Sequence, residues 1–161
     1  MAADIDSAQF RTLLGHFATG ITIITARDAD GRPTGMTANS LSAVSLNPPL
    51  ISICIDQLAD THTVMAAGGP FVINLLSTGQ EGLSRRFAGK QRPDRFDGVG
   101  YQVSGLDLPL LDGALAHIEC EFFAALELGD HTLFVGRVIG GTTTEGRPLL
   151  YYRGGYADLA P

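Results

Sequence analysis

Ala116-His117-Ile118-Glu119-Cys120-Glu121-Phe122-Phe123-Ala124-Ala125-Leu126-Glu127-Leu128 contains enough alanine, leucine and glutamate to suit a helix. Its period decides otherwise. Apolar residues fall at 118, 120, 122, 124, 126 and 128, while 117, 119, 121 and 127 are His, Glu, Glu and Glu, which is the two-residue repeat of a half-buried strand. Gly129-Asp130 then turns the chain into His131-Thr132-Leu133-Phe134-Val135-Gly136-Arg137-Val138-Ile139, a second long strand.

Outward from this hairpin the same reading recurs in shorter pieces. Ile21-Thr22-Ile23-Ile24-Thr25 is β-branched, and Asp28 to Pro33 reads as a loop that returns the chain through Thr34-Gly35-Met36-Thr37. Leu41 to Leu46, Leu50 to Ile55 and Phe71 to Leu76 add strands, and Leu149 to Arg153 is placed to close the sheet. Helices are expected from Ser7 to Phe17, where Asp6 and Gln9 have capping-box spacing, from Thr61 to Ala67, and from Gln80 to Ala88. Asp94 to Leu111 reads as loop. Many short strands with helices kept to the ends predict a mainly β fold, an antiparallel barrel rather than a βαβ sheet.

The chain has 161 residues, a size for one domain spanning 1–161, too small for a nucleotide domain beside a substrate domain. Eleven basic residues against 17 acidic ones, net charge −6, argue against a nucleic-acid partner. The longest apolar runs fall well short of the roughly 20 residues of a membrane-spanning helix. The N-terminus has no signal-like core, so a cytoplasmic location is expected. Cys54 and Cys120 have no metal-ligand spacing with His16, His62 or His117, and no metal is assigned. Gly-x-Ser-x-Gly, Walker and Gly-x-Gly-x-x-Gly signatures are missing from the sequence.

Two polar clusters suit a phosphorylated ligand. Thr34-Gly35-Met36-Thr37-Ala38-Asn39-Ser40-Leu41-Ser42-Ala43-Val44-Ser45 sets hydroxyl and amide groups between apolar strands, or is a wet strand face. Asp60-Thr61-His62-Thr63 opens an expected helix, where N–H groups favour an anion, or where Asp60 or Thr61 acts as N-cap. His131 follows a tight turn and has a pKa range suited to a site or to a solvated turn. Arg85, Arg86, Lys90, Arg92 and Arg95 form a basic stretch that meets phosphates or is a solvated face.

In order, Phe17-Ala18-Thr19-Gly20-Ile21-Thr22, Gly35-Met36-Thr37-Ala38-Asn39-Ser40, Ser42-Ala43-Val44-Ser45-Leu46-Asn47-Pro48-Pro49-Leu50, Phe71-Val72-Ile73-Asn74-Leu75-Leu76, Arg95-Phe96 and Gly129-Asp130-His131 resemble the short-chain NAD(P)H:flavin reductase family. These are the reductase components of two-component flavin-dependent monooxygenases. The resemblance runs from about Phe10 to Tyr156, with Leu41 where the family more often has an aromatic and Ile21 where it more often has Val.

It implies an FMN-binding split barrel, a homodimer, and hydride transfer from NADH or NADPH to FMN or FAD, which then serves a separate monooxygenase. It also implies that Thr37, Ala38, Asn39 and Ser40 meet the flavin ring and ribityl chain, with Val44 and Ser45 nearby. By the same resemblance Cys54 and Ile55 lie behind the ring, and Thr61, His62 and Thr63 form the phosphate turn. Phe87, Ala88 and Arg95 add flavin contacts, and His131 stands beside the nicotinamide. No basic pair is set aside for a 2′-phosphate, which favours NADH. A flavin-retaining electron carrier or oxidase, and a non-catalytic split-barrel module, are the alternative readings.

Overall fold

The computed structural model describes residues 4–89 and 94–159. Its elements are α1 (Ser7–Gly15), β1 (Thr19–Gly20), β2 (Thr22–Arg27), β3 (Pro33–Ala38), β4 (Ser42–Leu46), β5 (Pro49–Asp56), α2 (Asp60–Ala66) and β6 (Phe71–Leu75). A 3₁₀ turn (Thr78–Gln80) and α3 (Glu81–Ala88) follow, then β7 (Tyr101–Val103), β8 (Pro109–Leu111), β9 (Ala116–Leu128), β10 (His131–Thr143), β11 (Leu150–Tyr152) and β12 (Gly155–Ala157).

Seven strands form one sheet in the order β3-β2-β6-β9-β10-β5-β4, with antiparallel pairing throughout. The sheet coils round Ile24, Ala26, Ile51, Ile53, Ile55, Phe71, Ile73 and Phe134, which are buried together with Met65 of α2. On its other side Ile21, Ile23, Leu76, Phe87, Leu111 and Leu149 form a second core. Strands β3 and β5 do not pair, so the barrel is split there. Ser40 bridges the gap: its Oγ donates to the Cys54 carbonyl at 3.1 Å and accepts from the Cys54 N–H at 3.0 Å.

The β9–β10 hairpin forms as the period requires, and Gly129 (φ +62°) supplies the left-handed residue of its two-residue turn. The expected burial, however, does not run the whole length of β9. Opposite Val135 and Gly136 the partners are Ala124 and Phe122, so Phe123 is an extra, bulged residue. The bulge inverts the side-chain parity: Phe122 faces the core, but Ala124, Leu126 and Leu128 lie on the opposite face, with Leu126 and Leu128 more than half exposed.

Other expectations need correction too. α1 ends at Gly15 rather than Phe17, and the apolar Phe10, Leu13, Leu14 and Phe17 are exposed. Asp6 does cap it, accepting from the Gln9 N–H at 2.7 Å. The stretch read as loop from Asp94 to Leu111 contains the β7–β8 hairpin. Leu149 to Arg153 does not close the main sheet; β11 pairs with β1 and β12 in a separate three-stranded sheet. This small sheet is tied to the main one by Ile21 N–H donating to Leu149 O and Leu149 N–H to Leu76 O.

Candidate active site

A cavity of about 390 Å³ lies where β3, the β5–α2 connection and α3 meet. Of the residues singled out above, Thr37, Thr61, Phe87, Ala88 and Arg95 line it. Arg95 is buried, and its guanidinium donates to the carbonyls of Gly35 and Gly89, each at 2.5 Å. Gly35 is needed at this approach, since a Cβ there would come within 2.6 Å of the Ile24 carbonyl oxygen and crowd the Phe87 ring. Thr37 Oγ1 donates to the Ser84 carbonyl at 2.7 Å and so ties β3 to α3. Thr61 is fully buried, and its Oγ1 has no partner among the described residues.

The other predicted positions divide. Ser40 and Cys54 meet at the barrel split. Asn39 lies on a separate, largely apolar cavity of about 360 Å³, with its Nδ2 on Thr19 Oγ1 at 3.2 Å. Ala38 and Ile55 are in the core, so only their backbones can serve a ligand. Val44 and Ser45 are on edge strand β4, where Ser45 Oγ accepts from the Asn47 N–H. Thr63 is exposed, and His62 turns to Thr132, its Nε2 2.8 Å from Oγ1. Neither Asp60 nor Thr61 caps α2: the N-cap is Ala59, without a side-chain bond, and Asp60 is in the first turn, where its charge already complements the helix dipole.

The basic stretch is not simply a solvated face. Arg85 pairs with Glu81, Arg86 donates to the carbonyls of Asp94 and Asp97, and Arg95 is buried. Lys90 and Arg92 lie outside the described residues.

His131 opens β10 opposite Asp56, and Asp56 lines the cavity. Its Nδ1 is 2.7 Å from Asp130 Oδ1. That hydrogen bond and the nearby imidazole hold the Asp130 carboxyl below its ordinary range. Asp60, from the second polar cluster, lines the cavity as well, whereas Asp56 was missed by sequence reasoning; the strand pairing that brings it beside His131 is the signal that would have found it. The Cys120 thiol, buried against the sheet, is pushed up to about 12 and stays neutral, while Cys54 is partly exposed. Among the described residues no group of three metal-binding side chains comes together, and no helix is long and apolar enough to cross a membrane.

A split antiparallel barrel with a nucleotide-sized cavity beside the Thr37–Ser40 segment defines a class. The flavin reductase like domain family matches residues 14–160, and the chain belongs to that family. It is 41% identical over 161 residues to the flavin-dependent monooxygenase reductase subunit HsaB of Rhodococcus jostii, covering 99% of this chain and 82% of that protein. The NADH-dependent FAD reductase of Streptomyces globisporus is 41% identical over 163 residues, covering 97% and 87%. The structure of the NADH:FAD oxidoreductase SgcE6 from Streptomyces globisporus C-1027, in complex with NAD and FAD fragments, superposes with a TM-score of 0.91 at 38% identity and covers 99% of this chain and 98% of that one.

Proposed function

We propose that the chain oxidises NADH, passes the hydride to FMN or FAD, and gives up the reduced flavin to a separate flavin-dependent monooxygenase. The observation that carries this reading is the cavity in which a buried guanidinium, an unpartnered buried hydroxyl and the Thr37 segment converge within the fold of known flavin reductases. A bound flavin supplies the hydride acceptor. The protein's share is alignment, because hydride transfer depends on ring distance and orientation more than on a strong acid or base.

Arg95 and Thr61 take the flavin phosphate end, and Thr37 to Ser40 with the Cys54 backbone take the ring and ribityl chain. Asp56 and Asp60 line the same cavity as Arg95. One cation against two carboxylates suits a flavin that must leave once reduced. The Asp130 carboxylate accepts a hydrogen bond from His131 Nδ1–H, which leaves Nε2 to accept from the nicotinamide carboxamide. His131 therefore positions the donor and moves no proton. Purified wild-type protein is expected to bleach the nicotinamide absorbance band with FMN or FAD, and a His131→Ala variant to raise the KM for NADH about tenfold with kcat nearly kept. No turnover with either flavin and either nicotinamide would overturn the assignment.

The same reading includes a homodimer and a cytoplasmic place of action. The dimer is supported by the apolar face that the Phe123 bulge turns outward, where Leu126 and Leu128 are each more than half exposed. Sedimentation at micromolar concentration is expected to give twice the 17.0 kDa chain mass, and a Leu126→Lys, Leu128→Lys pair to give the single chain. A wild-type monomer would refute the dimer and leave the chemistry in place.

A further inference from the structure

A third cavity, also of about 360 Å³ and distinct from the one at Asn39, shares Ala88 and Gly89 with the first as a common wall. Arg85 lies with its guanidinium carbon 4.7 Å from the centre of the Tyr156 ring. Glu81 Oε1 holds that guanidinium by both Nε, at 2.8 Å, and Nη2, at 2.7 Å. Tyr156 is itself fixed, its hydroxyl 2.8 Å from Ser84 Oγ and its ring edge-on to Tyr151 at 5.4 Å. The Gly154-Gly155 turn, with Gly154 at φ +80°, lines the same cavity without side chains.

The guanidinium is thus held over an aromatic ring and along one edge by a carboxylate, while its side chain remains 64% exposed. A guanidinium held in this way presents a flat, pre-ordered surface on which a planar heterocycle stacks without an ordering cost at the moment of binding. The bare glycine wall leaves room for a flat ring. An aliphatic ligand would gain little from either feature, and a carboxylate would meet the charge of Glu81 beside the guanidinium.

We propose that this cavity is a subsite for the adenosine end of a dinucleotide whose phosphates lie against the Ala88–Gly89 wall. The inference rests on the reading that the first cavity takes the flavin phosphate end. Adenosine arrives in this reaction on FAD or on NADH, and FMN carries none. Steady-state kinetics of the full chain separate these sources: KM for FAD and for FMN at saturating NADH, and KM for NADH with FMN as acceptor, in the wild type and in Arg85→Ala. The expected result is a rise of about tenfold in the KM of one adenosine-bearing partner, with the KM for FMN unchanged. A rise for FAD assigns the subsite to the flavin, and a rise for NADH assigns it to the hydride donor.

Arg85→Lys, which keeps the charge and loses the plane, is expected to behave like Arg85→Ala. Adenosine 5′-monophosphate is expected to bind the wild type in calorimetry and to bind Arg85→Ala about tenfold more weakly. An equal rise for FAD and FMN, or unchanged constants together with unchanged nucleotide binding, overturns the proposal. The calorimetric arm needs no turnover, so a protein that binds the nucleotide yet reduces no flavin would sink the reductase reading and spare the subsite.

Discussion

An Arg95→Met variant is expected to lose about 3 kcal/mol of stability and to raise the KM for flavin more than tenfold. Methionine fills much of the space but donates nothing, so the carbonyls of Gly35 and Gly89 lose the bonds that now hold β3 to the end of α3. Leaving buried acceptors unmatched costs roughly 1–3 kcal/mol each. For a chain of this size that corresponds to a fall in Tm of about 6–12 °C. The flavin effect is separate, since Arg95 is the one basic side chain among the described residues lining the cavity. Measured well below the new Tm, KM should rise while kcat changes little, the signature of a group that holds substrate and transition state alike. A lowered Tm with an unchanged flavin KM would make Arg95 a structural tie only.

Asn74→Leu is expected to be as damaging to stability and silent in catalysis. Asn74 is fully buried on β6, away from the cavity lining. Its Nδ2 donates to Ile23 O at 2.9 Å and Thr25 Oγ1 at 3.1 Å, and its Oδ1 accepts from Leu111 N–H at 2.9 Å. Thr25 in turn donates to Pro109 O at 2.6 Å, and His117 Nε2 lies 2.9 Å from Leu111 O. Together these side chains fasten β8 to the sheet by polar contacts on both sides of Leu110. Leucine matches asparagine in shape, yet it orphans the buried Leu111 N–H and breaks the network, for a cost of about 3 kcal/mol and a Tm lowered by about 10 °C. At a temperature where both proteins are folded, kcat and both KM values should match the wild type. A Tm within about 2 °C of the wild type would show that the network contributes little.

Strand order was not legible in the sequence, but strand existence largely was. The β2–β3 and β9–β10 hairpins announced themselves because a polar turn divides two apolar runs that pair locally. The β7–β8 hairpin was hidden because only three residues on each side pair, and its hold on the sheet comes from Asn74 and Thr25, far along the chain. In the site, Thr37, Thr61, Phe87, Ala88 and Arg95, far apart along the chain, line one cavity. Val44 and Ser45 belong to the same sequence segment but lie on β4, at the opposite margin of the sheet from β3, since composition does not tell which sheet margin a segment will occupy. Asp56 was passed over because nothing local marks it; its place beside His131 follows from a pairing between strands more than seventy residues apart in sequence.

Phe123 shows how little it takes to change what a strand does. Along β9 the written pattern of alternate apolar residues is unbroken, yet one surplus residue shifts the phase, so the first half serves the chain's own interior and the second half faces away from it. The bulge works as a frameshift in space. A lineage that deleted this residue would turn Leu126 and Leu128 inward and Glu127 outward, trading a sticky exterior for a self-sufficient one in a single step. One that gained it would do the reverse. Insertions and deletions in the long hairpin, more than substitutions, are therefore where relatives of this barrel can diverge in how they associate.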